Sequence, residues 1–177
     1  LAALDSAARS RRQPAGSRPP SSTVWAAYEQ VAYDVLSKDQ VWELVGGFVG
    51  KTLEGQDSCA TRISWSLNHS GFPIVGRVDF INFPNVTFKG KPGDGMSYDV
   101  NTGTLSRFLL SAFGKPDAEI RSSSSTADAE ALEASLGPGQ IAIIVSAHHA
   151  GVIKVGYRED PVWHNASLGP FHAWKLP

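Results

Sequence analysis

The pattern of apolar and polar positions divides the chain into a helical first part and a β-rich last part. Trp25, Tyr28, Val31, Ala32 and Val35 recur every three to four residues, the spacing of an amphipathic helix. Ser37 with Gln40 three places on has the form of a capping box. It opens a helix through Val41, Trp42, Leu44 and Val45, which Gly46-Gly47 stops. After the polar stretch Glu54 to Ser58, either Asp57 or Ser58 can cap a helix over Cys59 to Asn68, and Gly71 with Pro73 ends it. Ala60, Ile63, Ser64 and Leu67 share one face of that helix, so it is mostly buried, and the small residues Ala60 and Ser64 allow a close neighbour.

Phe72 to Lys91 reads as loops with short strands, and Lys91 to Gly95 as a turn-forming cluster. Leu105, Phe108, Leu109, Ala112 and Phe113 line one side of a helix over Thr104 to Phe113, ended by Gly114 and Pro116. Ser125 or Thr126 can cap a further helix, Ala127 to Leu136, which Gly137-Pro138-Gly139 breaks. Then the period changes. Gln140 to Ala147 is a continuous apolar strand of the buried kind, Gly151 to Tyr157 a second, and Arg158 to Pro161 a turn. Val162 to Asn165 and Phe171 to Leu176 complete a set of short strands. Helices first and an antiparallel sheet afterwards make an α+β fold. Leu1 to Ser22 has no such pattern, carries Arg9, Arg11 and Arg12, and ends in Gly and Pro, so it reads as a flexible tail or linker before a single domain, 23–177.

Composition narrows the class. At 177 residues and 42% hydrophobic the chain can enclose one core. Its 16 basic and 17 acidic side chains give a net charge of −1 and no field for nucleic acid or an anionic membrane. No stretch approaches the roughly 18 apolar residues of a membrane-spanning helix, and no apolar run follows the early arginines as a secretory signal requires. The single cysteine excludes an internal disulfide and a multi-thiolate zinc site. The lone thiol is therefore either a packing residue or a reactive one.

Cys59 falls in the first turn of its helix, where unpaired N–H groups and a partial positive charge favour a thiolate. The same N–H groups can receive an oxyanion. A nucleophilic thiol also needs a base, most often His, oriented by a third polar group. His69 lies ten residues along the same helix, roughly 15 Å away, and is out of reach. His148 and His149 fall between two core strands, and His149 leads directly into the second. The same residues also fit a buried, inert cysteine and a solvated histidine pair.

Cys59-Ala60-Thr61-Arg62-Ile63-Ser64-Trp65-Ser66-Leu67-Asn68-His69-Ser70-Gly71 resembles the nucleophile helix of the type VI secretion amidase effectors, family four. Cys59, Ala60, Arg62, Ser64, Leu67, Asn68 and Gly71 match that family's fixed positions. Trp42 with Gly46-Gly47, Leu105 to Phe108 leading into Phe113 to Asp117, and Gln140 to Val145 agree in order. The resemblance implies a papain-like cysteine amidase fold, with N-terminal helices, and the nucleophile at a helix N-terminus, packed on a C-terminal antiparallel sheet. It also implies a secreted toxin that acts in the periplasm of rival bacteria. Its substrate there would be the peptidoglycan stem peptide, cut between γ-D-glutamate and meso-diaminopimelate. The implied partners are secretion-apparatus components and a dedicated immunity protein; no metal or organic cofactor, nucleic acid or membrane insertion is implied.

The wider papain-like pattern His-x-Gly-[Val/Ile] matches His149-Ala150-Gly151-Val152, and the family's aspartate about eleven residues after its histidine falls on Asp160. The expected catalytic set is Cys59, His149 and Asp160. His148 and His172 remain rivals for the base, and His164 and Asn165 for the third member. Gln56 and Ser58 are candidate second oxyanion donors. Arg62 and Asn68 read as structural anchors. Two other readings compete: another thiol acyltransferase, deamidase or protease on the same scaffold, and a non-catalytic binding module with a buried Cys59.

Overall fold

In the computed structural model, which describes residues 16–74, 83–122, 125–158 and 168–177, a five-stranded antiparallel sheet carries helices on both faces. The described elements run α1 (Ser21–Tyr28), α2 (Lys38–Val45), α3 (Gly47–Leu53), α4 (Cys59–His69), β1 (Phe83–Pro84), β2 (Ser97–Tyr98) and α5 (Thr102–Phe113). They continue with β3 (Ala118–Ile120), α6 (Ser125–Ala134), β4 (Ile141–Val145), β5 (Ala150–Lys154), β6 (Tyr157–Arg158) and β7 (Phe171–Lys175). The strand order is β3-β7-β4-β5-β6, and β1 pairs separately with β2. This is the α+β arrangement that the patterning implies.

The two-residue period of the strands sorts the core. Ile141, Ile143 and Val145 of β4 face one side with Val152 and Trp174, against Val24, Ile63, Leu67, Leu105 and Leu109 of α1, α4 and α5. Ala142 and Ile144 face the other side with Ile153, Phe171 and Ala173, against Ala129 and Leu132 of α6. With both faces covered, β4 is buried at every position, which is why it reads as an unbroken apolar run. A third cluster, with Val41, Trp42, Val49, Trp65 and Tyr98, encloses α4 from the side of α2 and α3. Consequently α4 is buried at every residue from Cys59 to Asn68. Ser64 and Asn68 tie it to the β2–α5 segment. Ser64 Oγ donates to the Asp99 carbonyl (2.8 Å) and accepts the Asp99 N–H (3.0 Å), while Asn68 Nδ2 donates to the Ser97 carbonyl (2.9 Å).

Several boundaries differ from the sequence expectation, two of them for a long-range reason. α1 ends at Tyr28 instead of continuing to Val35, because the Arg62 guanidinium takes the Val31 and Leu36 carbonyls and holds that stretch in turns. Gly46 ends α2 as expected, but α3 starts at once at Gly47. The Asn85 side chain joins the two helices, accepting the Val49 N–H (3.3 Å) and donating to the Val45 carbonyl (3.0 Å). A Cβ on Gly47 would sit 2.2 Å from Asn85 Oδ1, so this approach requires glycine. The hairpin after β5 turns at Val155-Gly156, with Lys154 opposite Tyr157, inside the single strand expected over Gly151 to Tyr157; of the turn expected at Arg158 to Pro161, Arg158 lies in β6 and the rest is outside the described residues. The expected strand Val162 to Asn165 lies outside the described residues.

From Gly16 onward the described chain makes contacts with the helices and the sheet. The Gly16 N–H donates to the Ala112 carbonyl at 2.9 Å. The Arg18 guanidinium gathers the Phe113, Lys115 and Lys175 carbonyls and the Asp117 carboxylate. Ser21 Oγ bridges the Leu176 carbonyl and the Ile141 N–H.

Asp99, between β2 and α5, is 1% exposed, and neither carboxylate oxygen has a hydrogen-bond partner among the described residues. Burial pushes its carboxyl up to about 6, with Arg107 acting the other way. A folded-state value above the ordinary one means stability is fullest below about pH 4 and is lost as pH rises through about 6. Asp99→Asn is expected to match the unmodified protein in urea denaturation at pH 4. At pH 7.5 it should be more stable by on the order of 2 kcal/mol.

Candidate active site

Two segments meet at the upper end of α4. The first is the helix start. Ser58 is the N-cap residue but its side chain makes no cap; its hydroxyl accepts instead from Arg62 Nε at 3.1 Å. The cap falls to Asp57, whose Oδ1 accepts the Cys59 N–H at 3.3 Å. Cys59 itself is a free thiol, 6% exposed. The second segment is the β4–β5 connection, which Ser146 shapes. Ser146 Oγ accepts the N–H groups of His148 (3.1 Å) and His149 (3.0 Å), and the Ser146 N–H donates to the His149 carbonyl (2.8 Å). This Ser-centred turn is a common local device. It leaves His148 exposed, draws His149 half inside and starts β5 at Ala150.

The sheet then delivers Ala150 to the same core as Cys59. The Ala150 N–H acts on the sulfur and favours its thiolate, as do the N–H groups of Ala60 and Cys59. His149, the residue before Ala150, packs its ring 5.8 Å from that of Tyr33. Tyr33 in turn lies over the Arg62 guanidinium, 4.0 Å from ring centre to Cζ, a cation–π contact. Cys59, His149, Tyr33, Arg62 and Asp57 therefore form one neighbourhood. Tyr33 and Asp57 are the members whose parts here the sequence did not announce. Tyr33 falls between the periodic positions of its segment, and Asp57 reads only as a possible cap.

The electrostatics correct one expectation. The helix start was expected to yield a thiolate, yet the Cys59 thiol is pushed up to about 11. Burial is the first cause and the Asp57 carboxylate the second; together they outweigh the three N–H groups. Burial also pushes the His149 imidazole down, helped by Arg62 and opposed by Asp57. Burial thus favours the neutral thiol at Cys59 and the neutral imidazole at His149. Tyr33 is held well above the usual phenol range by burial, then by Cys59 and Asp57.

The other sequence candidates fall elsewhere. His69 stacks on Trp65 at the far end of α4, with ring centres 3.8 Å apart. His172 is exposed on β7, its ring 6.3 Å from that of Trp174. The Gln56 carbonyl accepts from Trp42 Nε1 at 2.9 Å, and its side chain is at the surface. Arg62, 1% exposed, anchors the α1–α2 linker. Asn68 likewise is an anchor, and its Oδ1 accepts the Ile74 N–H at 2.8 Å. Asp160, His164 and Asn165 lie outside the described residues. Among the described residues no group of three or more His, Cys, Asp or Glu side chains is arranged to hold a metal ion, and no helix is long and apolar enough to cross a membrane.

No family model and no curated protein matches this chain. Solved structures do. The type VI effector Tae4 from Enterobacter cloacae superposes with a TM-score of 0.69 at 24% identity, covering 93% of this chain and all (100%) of that one. Tae4 from Salmonella Typhimurium, in its effector–immunity complex with Tai4, gives 0.61 at 24% identity over 91% and 100%. The Salmonella typhimurium effector bound to the Enterobacter cloacae immunity protein gives 0.60 at 24% identity over 90% and 100%. The chain has the Tae4 fold.

Proposed function

We propose that this chain is a type VI antibacterial effector, a cysteine amidase that hydrolyses peptidoglycan stem peptides between γ-D-glutamate and meso-diaminopimelate. The observation that carries the proposal is Cys59 at the start of a buried helix, beneath the strand that His149 leads, on a Tae4 fold. Since fold alone does not define chemistry, the assignment rests on that pair.

In the proposed reaction the thiol attacks the scissile carbonyl. The thiol proton passes to His149, a sulfur–carbon bond forms and the carbonyl π pair moves to oxygen. The Cys59 N–H receives that oxyanion. On collapse the C–N bond breaks and the leaving amine takes the proton from imidazolium. Water then attacks the thioester with His149 as base, restoring the thiol. Because burial favours the neutral form of both thiol and imidazole, the proton moves during attack, as in a serine hydrolase. Asp160 is proposed as the group that orients the imidazole, with His164 and Asn165 as rivals. An immunity protein that covers Cys59 and His149 is the proposed partner, in keeping with the Tai4 complexes of the solved Tae4 structures. The proposed site of action is the periplasm of the target cell, reached through the secretion apparatus.

Digestion of purified peptidoglycan by three histidine variants tests the base. His149→Ala is expected to lower the rate about a thousandfold. His148→Ala and His172→Ala should stay within about twofold of the unmodified protein. A reversed order would remove His149 from the base role.

A further inference from the structure

The donor that the proposed reaction needs first is already engaged. The Cys59 N–H gives its hydrogen bond to Asp57 Oδ1 at 3.3 Å, and the other capping candidate, the Ser58 hydroxyl, is held by Arg62. Resting on the amidase assignment, we infer that Asp57 is the resting-state occupant of the oxyanion site, a positioning residue that swings clear when a substrate carbonyl arrives. Two anions cannot share one N–H. A carboxylate left there would repel the tetrahedral oxyanion at the moment its charge develops. Asp57 has room to leave: it is exposed, while the Cys59 whose N–H it accepts is 6% exposed.

The carboxylate acts on more than the N–H. Among the described residues the titratable and charged groups around the thiol are Arg62 on α4, Tyr33 on the α1–α2 linker and His149 on the β4–β5 connection, and the Asp57 charge acts on each of them. It raises the Cys59 thiol and the His149 imidazole together. Asp57 in place therefore keeps the thiol protonated and its oxyanion site filled. Asp57 withdrawn eases deprotonation and opens the site. The arrangement is a latch that an incoming carbonyl must displace, and it shields a reactive cysteine until then.

Asp57→Asn keeps a side-chain acceptor for the Cys59 N–H but removes the charge, and Asp57→Ala removes both. Iodoacetamide labelling of Cys59 against pH is read first, without any substrate. At pH 8, labelling should be about three- to tenfold faster in Asp57→Asn, in proportion to the added thiolate. Peptidoglycan digestion is read second. Both limbs of the pH–rate profile should move to lower pH in Asp57→Asn, and kcat near pH 7 should rise in both variants, further in Asp57→Ala. Loss of a helix cap alone moves neither limb. Unchanged labelling, an unmoved profile or a reduced kcat overturns the inference. Should Asp57→Ala fail to fold, Asp57→Asn decides it. Should the unmodified protein leave peptidoglycan intact, the amidase assignment falls while the labelling arm still judges Asp57.

Discussion

Cys59→Ala is expected to leave a folded protein that releases no stem-peptide fragments from peptidoglycan, a loss of at least about a thousandfold in rate. The size follows from the chemistry: without sulfur there is no acyl-enzyme, and only binding and the oxyanion donor remain. The fold should survive because the change removes one buried sulfur atom from a cluster of twenty buried residues among those described. A side chain that small costs about 1 kcal/mol or less. Circular dichroism and thermal unfolding check the fold, and soluble muropeptide release checks the activity. Retained activity would return Cys59 to the status of a packing residue, which its burial and raised thiol pKa alone would also fit.

Arg62→Met is expected to be the most destabilising single change near the site, by about 3 kcal/mol. The guanidinium is 1% exposed and holds the Val31 and Leu36 carbonyls and the Ser58 hydroxyl. Methionine matches much of its length but leaves those oxygens without their donor, at about 1 kcal/mol or more each. It also forfeits the stacking of Tyr33, whose ring lies 4.0 Å from the guanidinium carbon. Arg62→Lys should recover little, because one ammonium cannot reproduce a fork that reaches three acceptors. Urea denaturation measures the loss. Wild-type stability in Arg62→Met would show that the linker holds itself in place.

These two residues mark what the sequence could and could not reveal. The helix that carries Cys59, the capping box at Ser37 and the apolar strand Ile141–Val145 are local patterns, and each forms as its spacing implies. Arg62 was legible as an anchor because it lies on that helix, but its partners were not. They sit 31 and 26 residues upstream in a linker that the period alone would extend as helix. Asn85 is the same kind of case, reaching back 36 and 40 residues to join α2 with α3. The charge state of Cys59 was the harder loss. A helix N-terminus argues for thiolate, whereas burial and Asp57 argue against it, and the depth of burial depends on packing that no local pattern encodes. The β4–β5 connection could be placed from sequence because an apolar strand flanks it on each side, whereas the Ser146 turn that closes on His148 and His149 emerges only in the structure.

In the proposed reaction the Cys59–His149 pair opens one particular amide of the cell wall. Mass analysis of purified peptidoglycan after incubation with the protein tests it most directly. The expected products are fragments ending in a free γ-carboxyl on D-glutamate, matched by pieces beginning with a free amine on meso-diaminopimelate, and neither with Cys59→Ala. Unchanged muropeptides, cleavage at another bond, or the same fragments from Cys59→Ala would contradict it.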